Sequence, residues 1–314
     1  MKKKLVAGAV TLLSVVTLAA CANSTNKDVV TMKGDTITVS DFYNEIKTNQ
    51  GAQQVLFQMT INKVFEKEYG SKVSDKEVDK ELAKQKKQLG KQFDAYLAQQ
   101  GLTEETAKKQ IRSNMLLEYA VNQAAKKDIK ESDYKAAFES YTPEVTAQII
   151  KLDSEDKAKE VLEAAKAEGA DFAQIAKDNS TDTATKDKGG EVKFDSGTAD
   201  IPSQVKEAAF KLDENGISDV ITVSAGQNYS ASYYIVKLNK KTEKGSDWKK
   251  YEKRLKEIIV DGRKQDTNYI RSIIAKAMTN ANIKVKDDAF KSTFNQYLQN
   301  IGVQTSDSSS SSKK

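Results

Sequence analysis

The chain has 314 residues, enough for roughly two domains of about 100–200 residues each, and 30% of them are charged against 7% aromatic. It has no histidine and a single cysteine, which excludes Ser–His–Asp and Cys–His catalysis, imidazole metal sites, internal disulfides and CxxC redox pairs. The net charge of +5 includes three lysines of a basic leader and falls to +2 without them, so the balance gives no reason to expect a nucleic-acid partner.

Residues 1–20 read as a signal peptide. Lys2, Lys3 and Lys4 precede an uncharged stretch from Leu5 to Ala20 that is too short and too rich in Thr, Ser and Gly for a membrane span. The stretch runs into Leu18-Ala19-Ala20-Cys21, which resembles a bacterial lipobox. That resemblance implies that Cys21 is lipidated, becomes the mature N-terminus and ties the chain to a lipid bilayer. Residues 21–29 then read as a lipidated tether. At the other end, residues 304–314 are Ser-rich and are expected to be disordered.

From Val30 to Val39 the pattern predicts a strand or hairpin turning at Lys33-Gly34-Asp35. Ser40 or Asp41 then caps a helix bearing Phe42 and Ile46. Val55, Leu56, Met59, Val64 and Phe65 give a helical stripe over 52–69. Ser74 and Glu77 fit a capping box opening a helix with Val78, Leu82 and Leu89. A further helix covers 103–127, with Ile111, Met115 and Tyr119 on one face, and a short one runs from Asp133 to Tyr141 before Pro143. The aromatics Phe57, Phe65, Tyr69, Phe93, Tyr96 and Tyr119 read mainly as core, with some available to line a groove.

Residues 145–240 differ in character. A β-rich run from Val145 to Leu152 precedes two helices, one with Ala158, Val161, Leu162 and Ala165 on one face, the other capped by Asp171. Gly189-Gly190 breaks the chain before a strand at Val192–Phe194, and a helix follows near 203–211. After a turn at Asn215-Gly216 come strand-like runs at Val220–Val223 and Ala231–Leu238. Helix resumes from Asp247 to Ala277 and again from Ala289 to Leu298. The fold class is therefore α+β. A discontinuous, mostly helical domain is expected from 30–142 and 242–303, and a block with a small mixed sheet plus helices is inserted at 143–241.

The inserted block resembles a parvulin-type (PpiC-type) peptidyl-prolyl isomerase domain. The resemblance rests on Ser180-Thr181-Asp182-Thr183 leading into Gly189-Gly190, on the helix pair from Ala158 to Asp178, on Glu207-Ala208-Ala209-Phe210, on Gly216-Ile217-Ser218-Asp219 and on Tyr233-Tyr234-Ile235-Val236-Lys237. With the lipobox in front and helices on both sides, the whole chain resembles the PrsA-type foldase lipoproteins. The resemblance implies an extracytoplasmic chaperone on the outer face of the cytoplasmic membrane, acting on unfolded secreted proteins. It also allows homodimerisation through the helical parts.

Resemblance further implies the site. The family's two core histidines correspond to Gln148 and Tyr234, and its acidic position is Asp182. The prolyl-pocket positions fall on Ile201, Val205 and Phe210, so an aliphatic side chain stands at Val205 where the family has a ring. Gln148 and Tyr234 are expected to hydrogen-bond one another. These departures point to weak or absent isomerase activity, with an active isomerase as the alternative.

Other constellations read as structural. Glu104-Glu105 and Asp287-Asp288 stand near helix starts, where negative charge complements the dipole. The stretch from Asp178 to Gly189 lacks the Gly and Glu of a calcium loop, so no metal site is expected. No phosphate-binding Gly loop is present, and no cofactor is implied. A transporter's substrate-binding lipoprotein shares the lipobox but requires two α/β lobes.

Overall fold

The computed structural model describes residues 27–225 and 230–298. Cys21, the tail from residue 304 and most of the Ala225–Ser230 insertion lie outside these residues. Contacts divide the chain into two compact units, one holding residues up to Gly70 together with those from Ile274, the other running from Ser71 to Ile273. These divisions fall within the helical regions and not at the edges of the α+β block.

The first unit joins the two ends of the chain. Strands β1 (Asp28–Met32) and β2 (Asp35–Thr38) form an antiparallel hairpin, turning through Gly34 at φ 88°. Helix α1 (Val39–Ile46) follows directly. Its cap is Thr38 and not Ser40 or Asp41: the Thr38 hydroxyl accepts from the Asp41 amide while the Asp41 carboxylate accepts from the Thr38 amide. This reciprocal pairing satisfies two otherwise orphaned donors. Helix α2 (Gln50–Tyr69) buries Ile61, Val64 and Phe65. From the C-terminal side, a short 3-10 turn (Asp288–Phe290) and a final helix (Lys291–Leu298) return to it. Phe57 stacks on Tyr297 and meets Phe294 edge-on, and Gln53 Nε2 donates to the Ala289 carbonyl at 3.0 Å.

In the second unit, α3 (Asp75–Leu89) opens with the Ser74–Glu77 capping box in place, followed by α4 (Phe93–Gln99), α5 (Glu104–Lys127) and α6 (Glu131–Ser140). Helix α4 has no counterpart in the sequence reading, because Gly90 at φ 51° ends α3 and leaves only seven residues of helical pattern. Beyond the α+β block, the single helix expected from Asp247 to Ala277 is two: α10 (Glu252–Gln265) and α11 (Thr267–Asn280). Asp266 divides them. It is extended at φ −76°, ψ 107°, and its carboxylate accepts from the Asn268 and Tyr269 amides, so it caps α11. Arg263 joins α10 to the earlier helices, donating to the Ala125 carbonyl at 2.9 Å and to Asp133 at 2.8 Å.

The α+β block holds β3 (Val145–Leu152), α7 (Glu155–Lys166), α8 (Phe172–Asn179), β4 (Glu191–Phe194), α9 (Ser203–Lys211), β5 (Ile221–Ala225) and β6 (Ser230–Lys240). Sheet order is β4-β3-β6-β5. Every pairing is antiparallel, so the expected mixed sheet is corrected. The cause lies in the loop after α8. It rejoins the sheet at the far end of β3, where the Thr181 amide donates to the Lys151 carbonyl, and runs back along that strand. Ile149 then donates to the Gly190 carbonyl, and β4 continues in the same direction. Strand alternation divides the core into two layers. Val145, Ala147, Ile149, Val236 and Leu238 pack with Val205 and Ala209 of α9 on one face. Ile150, Leu152 and Ile235 pack with Ala158, Val161, Phe172 and Ala176 of α7 and α8 on the other.

Candidate functional site

The loop from Ser180 to Gly190 is built by its own polar residues. Ser180 is buried, and its hydroxyl accepts from the Lys151 amide at 3.2 Å and the Asp182 amide at 3.3 Å. The Asp182 carboxylate folds the next turn, accepting from the Thr185 hydroxyl at 2.6 Å and the Ala184 amide at 3.1 Å. The loop closes on glycines because the backbones meet there. Gly190 sits at φ 79°, and a Cβ on it would lie 2.6 Å from the Ile149 carbonyl oxygen. Only glycine takes that conformation and that approach without strain.

Gln148 stitches the loop to the sheet. Its side chain is buried, and Nε2 donates to the Gly189 carbonyl at 2.9 Å. Gln148 has even parity on β3 and so belongs to the face of Ile150 and Leu152, under α7 and α8. Tyr234 packs on the opposite face, against the layer of Val205 and Ala209. In register, Gln148 stands opposite Lys237, and Tyr234 opposite Lys151. The expected hydrogen bond between Gln148 and Tyr234 is therefore replaced by the bond to Gly189, because strand alternation puts the two side chains on different sides of the sheet.

Tyr234 is half-buried. Burial first, then the negative charges of Asp182 and Asp153, push its phenol above the ordinary tyrosine range. It stays a neutral hydrogen-bond donor near the Asp182 loop. Around it, Ile201, Phe210, Ile221 and Val223 are partly buried against the same layer. Phe210 packs its ring on Phe194, with centroids 5.8 Å apart. Val205 is 0% exposed and belongs to the core, offering no surface to a substrate. The structure thus packs Tyr234, Ile201 and Phe210 against one layer of the sheet, with Asp182 close enough for its charge to act on Tyr234, and turns Gln148 to the other face. The arrangement presents one hydroxyl donor beside an apolar floor.

A polar junction has no local signal in the sequence. Asp195, just after β4, is buried. It receives both ends of the Arg254 guanidinium from α10, the Tyr141 phenol at 3.1 Å, the Thr198 hydroxyl at 3.0 Å and the Gly197 amide at 3.0 Å. Burial alone raises such a carboxyl; the hydrogen bonds from Arg254, Thr198 and Tyr141 outweigh it and hold Asp195 below the usual carboxylate range. Asp195 and Arg254 lie far apart in sequence, and no local spacing announces their pairing.

The family description Rotamase (PPIC-type PPIASE domain) matches residues 139–240. The chain is 62% identical over 302 residues to the foldase protein PrsA of Streptococcus sanguinis, covering 96% of this chain and 90% of that one. It is 59% identical over 315 residues to PrsA of Streptococcus gordonii, covering 100% of both. The crystal structure of PrsA from Streptococcus pneumoniae matches with a TM-score of 0.77 and 55% identity, over 86% of this chain and 99% of that one. That of Lactococcus lactis PrsA matches at 0.64 and 39%, over 86% and 99%. The lipobox, the parvulin-like block within helices and these full-length likenesses agree: the chain belongs to the PrsA foldase family.

Proposed function

We propose that this chain is a lipid-anchored foldase on the outer face of the cytoplasmic membrane, holding unfolded secreted proteins while they fold, with a parvulin-like domain of low catalytic power. The lipobox ending at Cys21 supports the anchor, and no helix of the described residues is long and apolar enough to cross a membrane. The observation that carries the catalytic part is that Gln148 and Tyr234, which correspond to the family's two histidines, turn to opposite faces of the sheet, with Gln148 held by the Gly189 carbonyl and only the Tyr234 phenol on the side of Ile201 and Phe210. Prolyl isomerisation needs no bond cleavage, only stabilisation of a twisted amide against a barrier of about 18–20 kcal/mol. One phenol and a partly covered apolar floor supply little of that. A foldase without nucleotide chemistry instead needs loose, reversible contact, so that the client is released by its own folding.

Refolding of a denatured secreted protein with and without the full chain tests this reading. A raised yield of soluble client is expected; an unchanged yield contradicts it. An active isomerase is the second reading, favoured by the intact Asp182 turn. A transporter's binding protein is disfavoured, because among the described residues the only sheet besides the β1–β2 hairpin is one antiparallel four-stranded sheet, not two α/β lobes.

A further inference from the structure

The β1–β2 hairpin carries an apolar surface that the described residues leave uncovered. Val30 and Ile37 are cross-strand partners, and Met32 lies two residues beyond Val30, so the three share one side of the ribbon. Their exposures are 48%, 39% and 51%, and Phe42 on the following helix is 53% exposed. Val29, Val39, Val55 and Met59 extend the exposed apolar set within the same unit. An isolated two-stranded ribbon is marginal in water, and a contiguous exposed apolar patch marks a contact surface.

Position in the chain selects the occupant. Cys21 precedes Asp28 by seven residues, which span at most about 25 Å when fully extended. Helix α1 begins beside the same point, since the Val39 amide donates to the Lys27 carbonyl at 2.8 Å. If Cys21 is acylated, no other part of the fold is held so close to the bilayer by its tether. From this we infer that the exposed side chains of Val30, Met32 and Ile37 on the hairpin, together with Phe42 on the helix that follows it, form a second membrane contact, dipping into the interfacial layer of the bilayer and orienting the fold over it. The inference rests on the lipid anchor proposed above. Charges at the hairpin ends balance, Lys27 and Lys33 against Asp28 and Asp35, so the attraction is apolar and persists in high salt. Such a face buries roughly 5–10 Å into the headgroup–acyl boundary.

The test uses residues 22–314 with a hexahistidine tag in place of the leader and Cys21, held on vesicles of phosphatidylglycerol, phosphatidylcholine and a nickel-chelating lipid. In a Trp248→Phe background, Phe42→Trp places the reporter in the face and Tyr96→Trp places a control outside it. Brominated acyl chains are expected to remove most of the emission at position 42 and leave position 96 unchanged. The pair Val30→Ser and Met32→Ser is expected to restore emission at position 42, with circular dichroism unchanged. Equal emission at both positions on loaded vesicles overturns the inference. So does a dimer by sedimentation velocity that Phe42→Ser dissociates, which assigns the face to a second copy. Failure of the anchor itself is read separately, as native chain and Cys21→Ser chain leaving the membrane fraction equally.

Discussion

Arg254 grips Asp195 with two parallel hydrogen bonds, Nε to Oδ2 at 2.6 Å and Nη2 to Oδ1 at 2.8 Å. The carboxylate is buried, whereas the guanidinium is about one-third exposed. A bidentate pair of this kind has direction as well as strength. It fastens the end of β4 to α10, and the Tyr141 phenol ties the segment between α6 and β3 to the same carboxylate.

Removing one partner therefore costs more than the pair contributes. Arg254→Ala leaves Asp195 charged and buried, and a loss of about 2–4 kcal/mol is expected, below the full buried-pair range because Arg254 is partly solvated. Arg254→Lys is expected to recover only part of it, since an ammonium cannot make both bonds. Urea unfolding of the three chains checks the order.

Acid should weaken the same junction. Asp195 is held below its ordinary value of 3.8, so its contribution is present above that pH and is lost as pH falls through the lower folded value. Asp195→Asn is expected to be less stable than the native chain at pH 7 and to decline less steeply below about pH 4. Denaturant midpoints measured from pH 7 to pH 2 test the sign; parallel curves contradict it.

Gly190→Ala probes the loop that carries Asp182. The added methyl meets the Ile149 carbonyl at a positive φ, so a loss of about 1–3 kcal/mol is expected. Gly34→Ala serves as a comparison, because its φ is also positive but nothing stands within 4 Å. Thermal unfolding should place the Gly190 variant lower of the two.

Much of the fold was legible in the sequence because its signals are local. The capping box at Ser74 and Glu77, the Asp171 cap and the Asn215-Gly216 turn, with Asn215 at φ 70°, each appear where the residues indicate. The site was legible only in part. Gln148 lies on β3 as its residue pattern indicates, but strand alternation turns its side chain away from Tyr234 and toward the Gly189 carbonyl, which residue types alone do not reveal. The break at Asp266 was hidden by an apolar stripe that continues from one helix into the next. The Asp195–Arg254 clamp had no local trace, since tertiary folding alone brings those residues together.

A chain without histidine lacks the usual group that titrates between pH 5 and 8. Burial and the charges of Asp182 and Asp153 keep the Tyr234 phenol protonated across that range. Refolding yields of a client are expected to show no inflection near pH 6.5; a bell-shaped or sigmoidal profile centred there contradicts the assignment.

The most direct test of the account is the isomerisation rate of a proline-containing peptide in the presence of the full chain. The uncatalysed reaction takes about 10–100 s at 25 °C. The account predicts a rate that the chain barely raises, unchanged by Asp182→Ala, from protein that still improves client refolding. A strong acceleration that Asp182→Ala or Tyr234→Phe abolishes would contradict it and make this chain an active prolyl isomerase.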